Sequence, residues 1–368
     1  MKILMLTDRL ESGGAETHVE CLCAQLTRRG HRVAVLSGGG RIADRMERAG
    51  IAQYRYSWSD NALICHLRAE RVLINAQKQV FFDVLHAHTR KTAFLLRNMQ
   101  IKRSRSCGRP FSVVTVHAAF SHTPLLKKMS YWGDRTIAVS EDLRARVCDL
   151  FGVPAEAVSV IPNGVDEEVF YPPAELPRPN TVLFASRLDE DCSLGAELLC
   201  KIAPEIKKSH PDLQIRMAGG GQRLDYFRAL AQSIDLQCGA HTVTVLGNVD
   251  DMASEYRRNA VFVGVSRAAV EASMCGCAVI LCGNQGWGGI LTPENPMPAV
   301  SNFCCRGERL RGAAHLSGAL RYLLNDAARR IEIANAARSW MLKDYTAVHM
   351  AEAVERVYWK GVGDGKTV

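Results

Sequence analysis

The sequence predicts an α/β protein built from two Rossmann-like domains whose parallel sheets face one interdomain cleft. Three observations predict it. The chain has 368 residues, more than the roughly 250 to 300 at which a single hydrophobic core stops growing. Short apolar runs alternate with amphipathic stretches through both halves, the pattern of buried parallel strands joined by helices. Between the halves lies YPPAELPRPN, Tyr171 to Asn180, whose prolines can continue neither a helix nor a central strand. The boundaries that follow are 1–172 for a first domain, 173–345 for a second, and 346–368 for a terminal helix that packs back on the first.

Taken in order, the strand runs of the first domain are Ile3 to Leu6, Val33 to Leu36, Val84 to Leu85, Val113 to Val116, Ile137 to Val139 and Val158 to Ile161. After the first run comes Ser12-Gly13-Gly14-Ala15-Glu16, and then Val19, Leu22, Cys23 and Leu26 at helical spacing. In the second domain the runs are Val182 to Ala185, Ile215 to Ala218, Val243 to Leu246, Val261 to Val263 and Ala278 to Leu281. Ala328 to Trp359 reads as more than one helix. Open α/β sheets bind ligands beyond the carboxyl ends of their strands, so the segments that follow these runs carry the candidate site.

Composition narrows the class. With 47% hydrophobic and 23% charged residues, the chain has the profile of an ordinary globular protein and not of a disordered or fibrous one. MKILMLTDRL offers too short an apolar run for a signal peptide, and glycines interrupt the longest uncharged stretch, Ala272 to Pro293. A cytoplasmic location is expected. The 13 cysteines then read as reduced thiols. Their close pairs Cys21/Cys23, Cys275/Cys277 and Cys304/Cys305 lack zinc-site spacing, so no metal site is read. A net charge of +8 points to an anionic partner without choosing among nucleotide phosphates, lipid headgroups and nucleic acid.

The chemistry-bearing residues sit at strand ends. Glycines at Gly13 and Gly14 allow close approach of a ligand to the backbone, and the helix start offers unpaired N–H groups to an anion; a tight turn without a ligand fits the same residues. Their spacing does not match the dinucleotide fingerprint GxGxxG, which argues against NAD binding. His86 and His88 in VLHAH, and His117 in VVTVH, lie at or just past strand runs and point toward the ligand end of the sheet.

Further along are VSEDLRARV, VSVIPNGVDEEVF, LFASRLDEDCSLGAELL, the glycine run Gly219 to Gly221, LGNVDDM and VEASMCGCAVI. With GGAE, HAH and TVH, these segments resemble the retaining glycosyltransferases of family four over nearly the whole chain. The resemblance implies the GT-B fold, a nucleotide-diphosphate sugar donor held mainly by the second domain, retention of anomeric configuration, and neither metal nor cofactor. It makes Arg187 the phosphate-binding arginine and His117 the histidine near the donor sugar, and these two are the catalytic candidates. It places Gly14, with Gly13, beside the diphosphate, Glu271 on the ribose hydroxyls, and His88 and Asn163 of IPNGVD among the substrate contacts. A diphosphate that leaves without Mg²⁺ needs arginine, lysine and backbone N–H groups around its charge.

Two positions depart from the family pattern. Cys192 stands where a lysine is usual, and Val263 where the first glutamate of a pair is usual. Arg267 is the candidate replacement cation, and Gly286, Gly288 and Gly289 of GNQGWGG are candidate backbone donors to phosphate. A nucleotide-sugar binder that has lost turnover therefore stands beside the transferase reading, as does a GT-B epimerase, which would need acid/base carboxylates and for which Asp189, Glu190 and Asp191 form an acidic cluster. The acceptor, a glycan or a lipid-linked intermediate, is unnamed. Lys102, Arg103, Arg105 and Arg109, and Lys127 and Lys128 beside Leu125, Leu126, Met129, Tyr131 and Trp132, read as solvated surface or as a peripheral contact with an anionic membrane at its inner face. No nucleic-acid module is present, and no nucleic-acid partner is expected.

Overall fold

The computed structural model describes residues 1–11, 13–103, 109–175, 179–239 and 241–364, with the backbone alone at 100–103 and 364. Ser12, the side chains of Lys102 and Arg103, Arg105, and residues 176–178 of the proline-rich segment lie outside the described residues. Two compact units are present, Met1–Gly164 with Ala347–Val368, and Val165–Thr346.

The first unit runs β1 (Lys2–Leu6), α1 (Gly14–Arg28), β2 (Arg32–Ser37), α2 (Arg41–Arg48), β3 (Ala52–Arg55), α3 (Ala62–Gln79), β4 (Val84–Ala87), α4 (Arg90–Arg103), β5 (Phe111–Val116), α5 (Pro124–Met129), β6 (Arg135–Ala138), α6 (Glu141–Phe151) and β7 (Val158–Val160). Its seven strands form one parallel sheet in the order β3-β2-β1-β4-β5-β6-β7. Side chains alternate across a strand, and β1 shows the consequence. Ile3 and Met5 enter a core with Val19, Leu22 and Leu26 of α1, while Leu4 and Leu6 enter the core on the other face with Leu73 and Leu95. Burial on both faces is why KILML reads as a continuous apolar run.

The second unit runs β8 (Thr181–Ala185), α7 (Leu194–Ser209), β9 (Gln214–Ala218), α8 (Leu224–Cys238), β10 (Val243–Gly247), α9 (Met252–Arg257), β11 (Val261–Gly264), α10 (Ser266–Met274), β12 (Ala278–Gly283), β13 (Gly286–Ile290), α11 (Ala313–Asn325) and α12 (Ala327–Asp344). The strand order is β10-β9-β8-β11-β12-β13. All neighbours are parallel except β12 and β13, which form an antiparallel hairpin. The last helix, α13 (Ala347–Asp364), belongs to the first unit. There Met350, Val354 and Tyr358 fill the same core as α1, and Glu355 accepts from Arg29 Nε at 2.8 Å.

The chain passes between the units at Gly164/Val165, ahead of the proline-rich segment where the sequence sets the boundary. Val165 explains the displacement. Its N–H donates to Tyr345 O at 2.9 Å, it bridges Thr346 in parallel, and its side chain is buried in a core of the second unit. Phe170 packs on Tyr256 with ring centroids 6.1 Å apart. Residues 165–170 are therefore fastened to the second unit before the prolines begin.

Candidate functional site

Each sheet reverses its strand order once, at β1/β4 in the first unit and at β8/β11 in the second. A crevice forms at the carboxyl ends of strands where the connections diverge, and this is where open α/β sheets take ligands. Gly13, Gly14 and His88 follow β1 and β4. Arg187 and the start of α10 follow β8 and β11.

In the first unit Gly13 lies at φ 156° as the residue before α1, and a Cβ there would come within 2.3 Å of Glu16 Oε2. Its carbonyl accepts from Thr17 N at 3.0 Å and Thr17 Oγ1 at 2.9 Å. The Glu16 carboxylate is the end of a flexible side chain and could move, so at Gly13 it is the positive φ that favours glycine. Gly14 differs, because a Cβ there would meet nothing within 4 Å; the space beside the first residue of α1 is open to a ligand.

The histidines converge at the same strand ends. His88 is anchored by its N–H to Leu6 O at 2.9 Å, and its Nδ1 lies 3.1 Å from His117 Nε2. His88 Nε2 and His117 Nδ1 are buried and make no hydrogen bond. His18 of α1 packs edge-on against His117 with centroids 4.7 Å apart. One ring nitrogen from each of His18, His88 and His117 lies within 4.8 Å of the others. Burial lowers His117 to about 4 and holds His88 well below the usual imidazole range, with the neighbouring imidazoles adding to the effect; both rings are neutral at pH 7. His86 stands apart from the ligand end. It is fully buried, with Nδ1 2.6 Å from Tyr358 OH and Nε2 2.7 Å from Thr115 Oγ1, so the direction read for it from the sequence is corrected: it ties α13 to β5. Asn163 is also buried, and its Oδ1 has no hydrogen-bond partner. Beyond His117 a cavity of about 460 Å³ is lined by Ala119, Phe120, Ser121, His122, Thr123 and Arg146.

In the second unit Arg187 follows β8 and stays exposed. It pairs with Asp189 at 2.5 Å and Asp191 at 3.3 Å, and its Nη2 lies 3.2 Å from Cys192 Sγ. Exposed pairs of this kind contribute about 0 to 1 kcal/mol, so turning Arg187 toward an anionic ligand costs little. Asp189 also accepts from Gln222 N at 2.8 Å, which gives it a structural task in holding the loop. Gly219, at φ 140°, would place a Cβ 1.8 Å from Ser186 O. The glycine run thus lets the loop after β9 close against the backbone that presents Arg187.

Glu271 and Arg267 lie one helical turn apart on α10, and both are buried. Arg267 Nε donates to Glu271 Oε1 at 2.7 Å, while Glu271 Oε2 accepts from Tyr256 OH at 3.1 Å. Arg267 is therefore met by a carboxylate, and the replacement-cation role read for it from the sequence gives way to an internal ion pair. Ser266, which opens α10, sits at φ 61° with its N–H donating to Phe303 O at 2.8 Å. A non-glycine residue held there stores strain. Gly286 is also corrected. It begins strand β13, not a loop, and a Cβ would lie 2.1 Å from Cys305 O; Gly288 is similarly close to Cys305 Sγ and Leu281. Close packing requires these glycines.

Tyr256 and His18 escape sequence reading. Tyr256 sits in an ordinary amphipathic helix, and His18 is one polar residue on a helix otherwise buried through Val19 and Leu22. Only the convergence of separate elements shows what they touch.

Two family models match. The model described as Glycosyltransferase Family 4 covers residues 12–169, and Glycosyl transferases group 1 covers 179–305. Phosphatidyl-myo-inositol mannosyltransferase of Mycobacterium tuberculosis is 27% identical over 397 aligned positions, covering 97% of this chain and 95% of its own. Glycogen synthase of the same organism is 24% identical, with 97% and 94% covered. Among solved structures, Anabaena HepE in complex with UDP-glucose matches with a TM-score of 0.75 at 18% identity over 98% of this chain and all of that one. That likeness is one of fold, and the fold is GT-B. With both units matched and the residues above at their strand ends, the chain belongs to glycosyltransferase family 4.

Proposed function

We propose that this glycosyltransferase takes its sugar from a nucleotide-diphosphate donor, transfers it with retention of anomeric configuration, and requires neither a metal nor a cofactor. The observation that carries the reading is the pairing of an exposed arginine and a buried carboxylate at one switch point: Arg187 after β8 and Glu271 on the helix after β11. A diphosphate needs a cation and N–H donors, and a ribose needs a carboxylate that accepts two hydroxyl hydrogen bonds. His117 and Gly14 serve the donor sugar and diphosphate from the first unit, with His88 and Asn163 beside them. The donor-bound neighbour HepE supports the donor class, and the matched mannosyltransferase, whose name specifies phosphatidyl-myo-inositol, supports a lipid-linked acceptor.

Among the described residues no helix is long and apolar enough to cross a membrane. A cytoplasmic enzyme that meets an anionic membrane peripherally suits such an acceptor, and α5, with Leu125 exposed beside Lys127 and Lys128, is the surface we assign to that contact. Arg146 in the neighbouring cavity supplies a cation for a phosphorylated acceptor.

One observation favours a second reading, a nucleotide-sugar binder without turnover. Cys192, in contact with Arg187, leaves that arginine without the second cation that the family pattern places there. The experiment is a thermal-shift panel of nucleotide sugars, followed by transfer assays with the stabilising donor in EDTA and NMR of the product anomer. Retained configuration and EDTA-resistant turnover are expected. An inverted product, or activity restored to the EDTA-treated enzyme only by Mg²⁺ or Mn²⁺, overturns the mechanism; binding with no turnover on any acceptor selects the binder.

A further inference from the structure

We propose that Asp8, Trp58 and Lys91 in the first unit form a binding site for a polyhydroxylated six-membered ring, a pyranose or an inositol, carried by the acceptor. The acceptor role rests on the transferase reading above; the binding of the ring does not. Strands β3, β2, β1 and β4 are neighbours in that order, and the segments beyond their carboxyl ends bring these side chains together. Trp58 follows β3, Asp8 follows β1, and Lys91 stands in the first turn of α4 after β4. Lys91 Nζ lies 5.4 Å from the centroid of the Trp58 ring and 4.0 Å from Asp8 Oδ2.

Each side chain is held in place and keeps one group for a ligand. Trp58 packs on the backbone of Gly38, where a Cβ would come within 2.8 Å of the ring, and Arg68 Nη1 donates to the carbonyls of Ser57 at 3.1 Å and Trp58 at 3.4 Å. The ring is thereby fixed at the rim, half-buried. Asp8 is fastened through its own carbonyl, which accepts from Gly38 N at 2.7 Å. Its Oδ1 accepts from Thr89 Oγ1 at 3.1 Å, while Oδ2 is beyond hydrogen-bonding distance of Lys91. Burial raises the Asp8 carboxyl although Lys91 and Thr89 act the other way, so a ligand hydroxyl donating to Oδ2 restores solvation that the carboxylate has lost. The Lys91 side chain is 62% exposed, at the amino-terminal turn of a helix whose dipole disfavours a cation. The helix does not call for a lysine there, whereas a hydroxyl oxygen is an acceptor that its ammonium reaches.

The chemistry selects the ligand. Pyranoses and inositols present an apolar C–H face with hydroxyls around its edge. Such a face packs on an aromatic ring, and the hydroxyls donate to a carboxylate and accept from an ammonium. A phosphate is disfavoured, because Arg9, the other cation at the Trp58 ring, is already paired with Glu11, and Lys91 stands against Asp8. Two acids balance two bases, which leaves no net positive charge to hold an anion.

The test is saturation-transfer NMR on the full-length protein with methyl α-mannopyranoside, methyl α-glucopyranoside and myo-inositol. We expect the ring protons of at least one of them to be saturated, and inorganic phosphate to leave that signal in place. A response to the pyranosides alone supports the site with a glycan acceptor, and a response to myo-inositol alone supports it with an inositol headgroup. Trp58→Ala should abolish the signal and Asp8→Asn should weaken binding at least about tenfold, with far-UV circular dichroism to show that both remain folded. Trp359→Ala, which removes an exposed tryptophan elsewhere in the same unit, should change nothing. If neither variant folds, Lys91→Gln at its exposed position and photolabelling of the wild type with a diazirine glycoside decide the matter: label on peptides that contain Asp8, Trp58 or Lys91 supports the site. In transfer assays Trp58→Ala should raise the acceptor KM at least about tenfold and leave the donor KM unchanged. An unchanged acceptor KM overturns the acceptor role, whereas a wild type without turnover on any acceptor defeats the transferase reading and leaves ring binding to be decided by the NMR. No saturation of any of the three rings, displacement by phosphate, or binding unchanged in the folded variants would overturn the proposal.

Discussion

Gly14 and Glu271 show what a single residue does here and how each can be tested. Gly14 opens α1, and no atom lies within 4 Å of where its Cβ would sit. Gly14→Ala should therefore leave stability unchanged or raise it by up to about 1 kcal/mol, because alanine loses less conformational freedom on folding. If the open space serves the donor diphosphate, the same variant loses donor affinity, about tenfold by calorimetry; unchanged affinity removes Gly14 from the site. Glu271 behaves differently. Its carboxylate is buried against Arg267 and Tyr256, so Glu271→Gln removes the negative charge from a buried ion pair and should cost about 3 kcal/mol in denaturant unfolding. Nucleotide affinity of the folded variant should fall as well; an unchanged affinity would mean that the carboxylate serves the fold alone. In the sequence Gly14 stands out by its place after a strand run, and Glu271 by the family resemblance. Neither signal exposed the ion pair, because the four-residue spacing of Arg267 and Glu271 says only that they share a helix face, and burial of that face comes from the packing around α10.

At the scale of elements, legibility followed burial. The central strands were readable because both faces are buried and each becomes an apolar run. β3, with sequence AQYR, and β13, with GWGGI, are edge strands with no such run, and both were missed. Helix α13 is the element whose attachment is most open to measurement. Tyr358 is fully buried, and its hydroxyl is 2.6 Å from His86 Nδ1. Tyr358→Phe keeps the ring and strands the imidazole nitrogen, so stability should fall by about 1 to 2 kcal/mol; a loss below about 0.5 kcal/mol would show that water replaces the bond. The outer edge of α13 responds to pH through Glu355. Burial raises this carboxyl, but hydrogen bonds from Arg29, His31 and Trp359 outweigh it and hold its pKa below the usual carboxylate value. A carboxyl lowered on folding stabilises fully above its unfolded value and loses that stability as pH falls through the folded value. Acid titration of stability from pH 6 to 3 should thus be shallower for Glu355→Gln than for the wild type. Equal slopes would place the acid sensitivity elsewhere.

At the scale of the whole molecule, two units with separate cores predict an unfolding that need not be two-state. Two-domain organisation was readable from the repeated strand pattern, but the crossing at Gly164/Val165 was not, since it depends on Val165 bridging Thr346, a residue remote in sequence. This arrangement assigns measurable consequences to each unit. The proposed diphosphate and ribose contacts, Arg187 and Glu271, lie in Val165–Thr346, whereas Tyr358 and His86 lie in the other unit. A nucleotide that binds only the folded second unit stabilises it by about 2.7 kcal/mol at a hundredfold excess over Kd. Differential scanning calorimetry should then show two components, one raised by the nucleotide and the other lowered by Tyr358→Phe, with the two effects additive because they act on different cores. A single transition that both perturbations shift together would mean that the units unfold as one cooperative body. A nucleotide that raised the component lowered by Tyr358→Phe would move the principal donor contacts into the first unit and refute the assignment of Arg187 and Glu271.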